Sequence, residues 1–405
     1  MLSILKTIVV RVCFPENEIY GEIMKFLDLN ISSIVLDPNK NIIRQAPRLE
    51  KDQQDNYKEL FDYYTLFSDI FYNVDGDIEL LGPPLLNLKD TIQDAQIYIN
   101  NKDVTKKVEF IDANRISRSI IRDSAGSDSI QIEFDDYSFI KKIQPNMSSF
   151  FTNKNVLVTQ QRDNPIEWIV YWIMHHIEHN KINAVLIYDN GSQGYCLDEL
   201  KSAIDKIDEI DKACVVDWKT PWGPTGGHNQ VWDSDYGQHQ SWEHALKRLL
   251  ADANCAIIGD VDELPLHQYG LAIPDILEGI EQPVLSYYRR NIVDVGLDSA
   301  IRLHSDTFMF EEHKPLAGTK YSISPRRLSE NTQLLVHRVV GSDTYQCDDI
   351  ISSHFGSLRV DWRNGNYSQR PLKKISQFSN LQEDEVLIES FRKIDNEQVK
   401  KIIQL

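Results

Sequence analysis

The sequence predicts an α/β protein: a mostly parallel sheet flanked by helices, preceded by a smaller β-rich domain. Two observations carry this. Residues 1 to about 150 show short runs of period-two alternation, and from residue 154 apolar runs alternate strictly with helical patterns. A third directs the search for function: all eleven histidines lie between His175 and His354, and six of the seven tryptophans lie between Trp168 and Trp242. The expected domains are 1–152, 153–366 and a helical tail over 367–405.

In the first domain, Ala95-Gln-Ile-Tyr-Ile-Asn100, Lys107-Val-Glu-Phe-Ile-Asp112 and Ser129-Ile-Gln-Ile-Glu-Phe134 read as half-buried strands. Polar turn clusters, Asn100-Asn-Lys-Asp103 and Asp123-Ser-Ala-Gly-Ser-Asp128, separate them. One helix is expected around 57–71. No chemical motif appears in this domain. In the second domain, Asn155-Val-Leu-Val-Thr159 is a strand, and Asn164, Pro165 and Glu167 mark the start of a helix carrying the stripe Ile166, Ile169, Val170, Ile173 and Ile177. Strands follow at 183–188, 213–216 and 255–258, with helices near 197–207 and 238–251. A polar amphipathic helix is expected from Leu381.

Composition narrows the function. The 405 residues carry 43 Lys+Arg against 61 Asp+Glu, a net charge of −18, which opposes nonspecific binding to nucleic acid or anionic membranes. No apolar run reaches the roughly 20 residues that span a bilayer, and the N-terminus, broken by Lys6 and Arg11, reads as a strand rather than a signal peptide. Five scattered cysteines without a C-x-x-C fit a reducing cytosol better than a disulfide framework or structural zinc. His175, Glu178 and His179 lack the H-E-x-x-H order, 222–228 is no P-loop, and no G-x-S-x-G elbow is present.

Ligands of open α/β sheets bind at the carboxyl ends of strands. Those ends carry Gln160-Gln-Arg-Asp-Asn-Pro165, Asp189-Asn-Gly-Ser192 and Gly259-Asp-Val-Asp-Glu263. Asp260 and Asp262 suit Mg²⁺ or Mn²⁺ shared with a diphosphate, or else a capping turn. Asp189 to Ser192 reads as a nucleoside contact or an Asx turn. The Trp222–His228 stretch is either a flap over a ligand or an exposed loop. Among Arg289, Arg290, Lys314, Lys320, Arg326 and Arg327, one or two could neutralise a departing diphosphate, the others being solvated surface.

The stretch 161–172, the Leu186-Ile-Tyr-Asp-Asn-Gly-Ser192 segment, Trp232-Asp-Ser-Asp-Tyr-Gly-Gln238 with Glu243-His-Ala245, and Ile258-Gly-Asp-Val-Asp-Glu-Leu264 occur in an order that resembles GT-A fold glycosyltransferases, nearest the family 92-like and family 2-like bacterial groups. The resemblance covers about residues 154–365. It implies a GT-A, Rossmann-like catalytic domain using a nucleotide-sugar donor, UDP-linked, and a glycan acceptor. It places Arg162, Asp189 and Asn190 on the nucleoside, Asp233 and Gln238 near the donor sugar, and Asp260 and Asp262 on the metal and diphosphate. His354 in Ser353-His-Phe-Gly356 is either a third metal ligand or a packed histidine. Inversion, as in the resembled families, calls for a carboxylate base; Asp294, Asp306, Glu311 and Glu312 are candidates, of which Glu311 is chosen, and Asp262 is the other catalytic residue. Arg162-Asp163-Asn164 departs from the Asn-Glu of many members, which leaves the nucleoside-contacting acid open.

A metal-dependent phosphoester hydrolase or nucleotidyltransferase, or a noncatalytic carbohydrate-binding protein, are the rival readings. Surface-polysaccharide synthesis (capsule or lipopolysaccharide) in the cytoplasm, peripheral to the membrane in a glycan-assembly complex, follows from the resemblance only. The first domain is left with acceptor docking, dimerisation or attachment to such a complex.

Overall fold

The computed structural model describes residues 24–293, 295, 303–358, 360 and 377–403. The strand expected at the N-terminus, Cys13, Asp294 and Trp362 lie outside these residues.

The central feature is an eight-stranded sheet in the order Lys212–Asp217, Ala184–Asp189, Asn155–Gln161, Cys255–Ile258, Ala317–Ile323, Val284–Ile292, Thr344–Phe355, Glu263–His267. The first four strands are parallel. Their near-continuous apolar runs are buried on both faces, and period two sorts them. Leu157, Val185, Ile187, Val215 and Ile257 pack into one core with the Ile166–Asn180 and Leu197–Asp205 helices. Val156, Val158, Leu186, Tyr188, Val216 and Ile258 pack into the other with Trp218, Trp242 and Leu249.

The remaining half of the sheet is mixed rather than parallel: Ala317–Ile323 runs antiparallel to both its neighbours, and Glu263–His267 antiparallel to Thr344–Phe355. Charged residues such as Arg289, Arg290 and Lys320 interrupt these strands, so no apolar run announced them. Residues 25–27 cover the outer edge, with Leu27 N donating to Ala213 O and Ala213 N to Lys25 O.

Ahead of this sheet, Asp69–Tyr72, Ile78–Gly82, Ile116–Ile121 and Val108–Ala113 form one antiparallel sheet. Tyr137–Lys142, Ser129–Phe134, Gln96–Ile99 and Lys102–Asp103 form another, and Ile70, Leu80, Ile121, Ile97, Ile130 and Ile132 meet between the two. The helix expected over 57–71 is a single turn, Tyr57–Leu60, followed by the strands Thr65–Phe67 and Asp69–Tyr72. Aromatic and β-branched residues there prefer a pleated, buried surface, and that preference prevails. The first long helix begins at Ile166 with Pro165 at its cap, one residue later than expected. The expected C-terminal helix is instead a short strand, Leu381–Glu383, and two helices, Glu385–Arg392 and Asn396–Ile403. His175 and His179 face Ser390 of the first of these, at 3.2 and 3.1 Å, and serve that docking. No helix among the described residues is long and apolar enough to cross a membrane.

The Tyr236–His244 helix joins the two parts. All nine residues are buried although most are polar, so each polar group needs a partner. Ser68 and Gln240 hydrogen-bond, Ser241 Oγ donates to Gln160 Oε1 (3.0 Å), and Arg118 approaches Glu243 at 3.7 Å. His244 lies between Asp69 Oδ2 (3.0 Å) and Tyr188 OH (2.7 Å). Several of these partners come from the β-rich part, so the two regions share one polar interior.

Candidate functional site

A cavity of about 600 Å³ opens at the carboxyl ends of the parallel strands. Its size is that of a small-molecule site. Five of the sequence-selected residues line it beside His354: Arg162, Asn190, Gln238, Asp260 and Asp262. Trp222 and Trp232 supply aromatic surface.

Each is held for a local reason. Asn190 follows the Ala184–Asp189 strand, and its Nδ2 donates to Trp218 O and Thr220 O, both at 2.8 Å. Asp189 itself is buried and absent from the cavity wall: its carboxylate accepts from Gly191 N (3.0 Å), Ser192 N (2.8 Å) and Ser192 Oγ (2.6 Å). This is an Asx-type turn. Burial raises its carboxyl above the ordinary value, against those hydrogen bonds. Asp233 is also elsewhere, paired with Arg48 at 2.7 Å.

The 222–235 loop is not a loose flap. Arg48 binds Thr225 O (2.8 Å) and Val231 O. Gly223 has φ +96°, and a Cβ there would meet Ser234 O at 2.1 Å; a Cβ on Gly237 would meet Trp222 Cα at 2.6 Å. The close approach of these two backbone stretches fixes Trp222 against the cavity.

Glu311 lies in a neighbouring cavity of about 570 Å³ with Phe310, Lys314 and Phe378. Its carboxylate is ion-paired with Lys314, whose hydrogen bond holds it below the ordinary carboxyl range. His354 borders both cavities. Of the other candidate bases, Glu312 lines the second cavity and Asp306 caps a short turn by accepting from Leu303 N at 3.0 Å.

The expected metal ligands are not gathered into one set. Among the described residues no three His, Cys, Asp or Glu side chains are placed to hold an ion. Lys320 is the physical reason at Asp260: its Nζ donates to Asp260 Oδ2 (2.8 Å) and Glu263 Oε2 (2.9 Å). Burial would lower its pKa, but the Asp260 and Glu263 charges outweigh burial and hold the ammonium above the ordinary lysine range. Gln238 Nε2 donates to the other Asp260 oxygen at 3.3 Å. His354 donates through Nδ1 to Asn291 Oδ1 (2.9 Å) and turns Nε2 toward Asp262 Oδ2 (3.5 Å). Burial opposes its charge, but the Asp262 charge outweighs it and holds the imidazole above its ordinary value. As placed, Asp260 is taken up by Lys320 and Asp262 faces His354, so these three side chains do not converge on one ion position.

Gln160, from the first strand-end cluster, lines the cavity too, but sequence reasoning missed Arg115, which also lines it. Arg115 sits at the tight turn between Val108–Ala113 and Ile116–Ile121, with φ +61°, and reaches Asp235 (2.8 Å) and His239 (2.9 Å). No local pattern marks it: its importance arises from docking between segments 120 residues apart.

No family model and no curated protein matches the chain. Solved structures similar to it include the crystal structure of S. aureus TarS 1–349 in complex with UDP-GlcNAc, with a TM-score of 0.30 and 9% identity over 62% of this chain and 70% of that one. A likeness of that depth carries no weight for fold or function.

Proposed function

We propose that this chain is a glycosyltransferase that takes a nucleotide-sugar donor, UDP-linked, and passes the sugar with inversion to a glycan hydroxyl. The observation that supports it is the cavity at the strand ends, where Arg162, Asn190, Gln238, Asp260 and Asp262 share one wall system with Trp222 and Trp232. Arg162 and Asn190, at the ends of two adjacent parallel strands, are assigned to the nucleoside. Gln238, fixed by its bond to Asp260, is assigned to the donor sugar.

Inversion needs a base facing the cavity, and Asp262 is that carboxylate; Glu311 is spent on Lys314 in the next cavity. His354 orients Asp262 through the 3.5 Å contact. Asp262→Asn is expected to lower kcat by about a hundredfold or more, the span of lost general-base catalysis, whereas Glu311→Gln is expected to stay within about threefold, well under 1 kcal/mol of barrier. The check is nucleotide release from a panel of sugar nucleotides, with and without glycan acceptors. Acceptor-dependent release supports the transferase reading. Turnover of simple phosphoesters by water alone, with no sugar transferred, would favour the hydrolase reading instead.

A further inference from the structure

The transferase reading leaves open what meets the negative charge of the donor diphosphate, and the floor of the cavity suggests an answer. Asp260 and Arg289 line the cavity, and behind them Lys320 and Glu263, buried outside the lining, complete an alternating row of four charged side chains. Lys320 bridges the two carboxylates at 2.8 and 2.9 Å, and Arg289 Nη1 donates to Glu263 Oε1 at 3.1 Å. Tyr321 pairs with Ile258 across the sheet. That register puts Lys320 just beyond the end of the Cys255–Ile258 strand, beneath the turn that carries Asp260. Its side chain is 3% exposed, so the two carboxylates replace its water.

A divalent ion on Asp260 would have to share that carboxylate with a buried ammonium less than 3 Å away, and like charges repel most strongly where water is excluded. Arg289 is placed differently. It lines the cavity, and among the described residues its five-donor fork is engaged by Glu263 and by Gly318 O (3.3 Å). A planar guanidinium suits phosphate oxygens.

We infer that the site receives the donor diphosphate without a divalent cation, with Arg289 as the phosphate contact and Lys320 as the built-in counter-charge that positions Asp260 and Glu263. This rests on the transferase reading and reassigns the work that its sequence motif gives to a metal.

The test is calorimetric titration of the whole chain with UDP in EDTA and in Mn²⁺, beside electron paramagnetic resonance of Mn²⁺ added to the protein alone. The expected dissociation constants in EDTA and Mn²⁺ agree within about threefold, and Mn²⁺ alone keeps the spectrum of the free ion. Arg289→Met is expected to weaken UDP by about tenfold or more while leaving uridine unchanged, since only the charged part of the ligand loses a partner. Lys320→Met is expected to create Mn²⁺ binding and make UDP binding depend on it, and Lys320→Arg to retain binding in EDTA. Should Lys320→Met fail to fold, the wild-type titrations and Arg289→Met still decide. Wild-type UDP binding that requires Mn²⁺ overturns the inference and leaves the transferase reading standing. No binding of UDP or any other nucleoside diphosphate, with or without the ion, overturns the transferase reading itself.

Discussion

Asp69→Ala is expected to cost about 3–5 kcal/mol of folding stability, the range for breaking one side of a buried ion pair. Asp69 is fully buried in the first strand of its sheet, yet its carboxylate serves three segments. It accepts from Ser32 N (2.6 Å), from His244 Nε2 (3.0 Å) and from Arg248 Nη1 (2.6 Å). Burial alone would raise its pKa; the His244 hydrogen bond and the Arg248 charge outweigh it and hold the carboxyl below its ordinary value. Without the carboxylate, the Arg248 guanidinium, 1% exposed, is left with the backbone carbonyls of Pro145 and Asn30, a 3.5 Å contact with the neutral His244 ring and the face of Phe71, none of which carries a compensating charge. A charge left so is far costlier than a lost surface pair. Denaturant titration provides the check, with Asp112→Ala as the comparison. Asp112 pairs with Lys89 at the surface, and its loss is expected to cost under about 1 kcal/mol. Equal, small losses in both variants would show that the network between the β-rich part and the 236–244 helix does not hold the fold.

Acid is expected to destabilise the protein steeply well before its carboxylates titrate. Burial pushes His176 and His239 down to about 3 and His304 to about 4, and all three are at most 2% exposed. The folded pKa values lie below the unfolded value near 6.5, so between about pH 6.5 and 4 the unfolded chain binds protons that the folded chain refuses. Stability therefore falls as pH drops through that window, by about 1.4 kcal/mol per pH unit for each histidine. It is unchanged by these groups above the window. His304 is the most telling case, because its Nε2 donates to Val261 O (2.7 Å) inside the Asp260–Asp262 turn while its ring stacks on Tyr171. Urea midpoints from pH 8 to 5 should be flat at first and then drop, with His304→Gln removing about a fifth of the slope at most, because His175 and His337 are pushed down as well. A midpoint that stays level down to pH 5 would mean these histidines are solvated or already charged.

What the sequence discloses and what it hides divide along physical lines. The parallel strands were legible because burial on both faces demands unbroken apolar runs, such as Val156 to Val158 and Ala184 to Tyr188. The strand ends follow from the same reading and bring out the 160–165 and 189–192 stretches and the Asp260–Asp262 pair, while Arg162 and Asn190 are picked out within them by the family resemblance. Asp189 was legible as a turn former, and its hydrogen bonds place it in that role rather than at the cavity wall. The polar Tyr236–His244 helix gave no sign that it would be wholly buried, since its partners Ser68, Arg115 and Arg118 lie in another part of the chain. Lys320 was visible only as one of several basic residues. Its pairing with Asp260 depends on an antiparallel register between strands some 60 residues apart.

The most direct test of the donor site is a set of melting curves with a panel of nucleotide sugars, repeated on Asn190→Ala. One donor at about 100 times its dissociation constant is expected to add about 2.7 kcal/mol of stability to the wild-type chain, visible as a rise of several degrees, and to lose most of that rise in the variant. No shift with any nucleotide sugar, or an equal shift in the variant, would contradict a nucleoside site at the ends of the 155–161 and 184–189 strands.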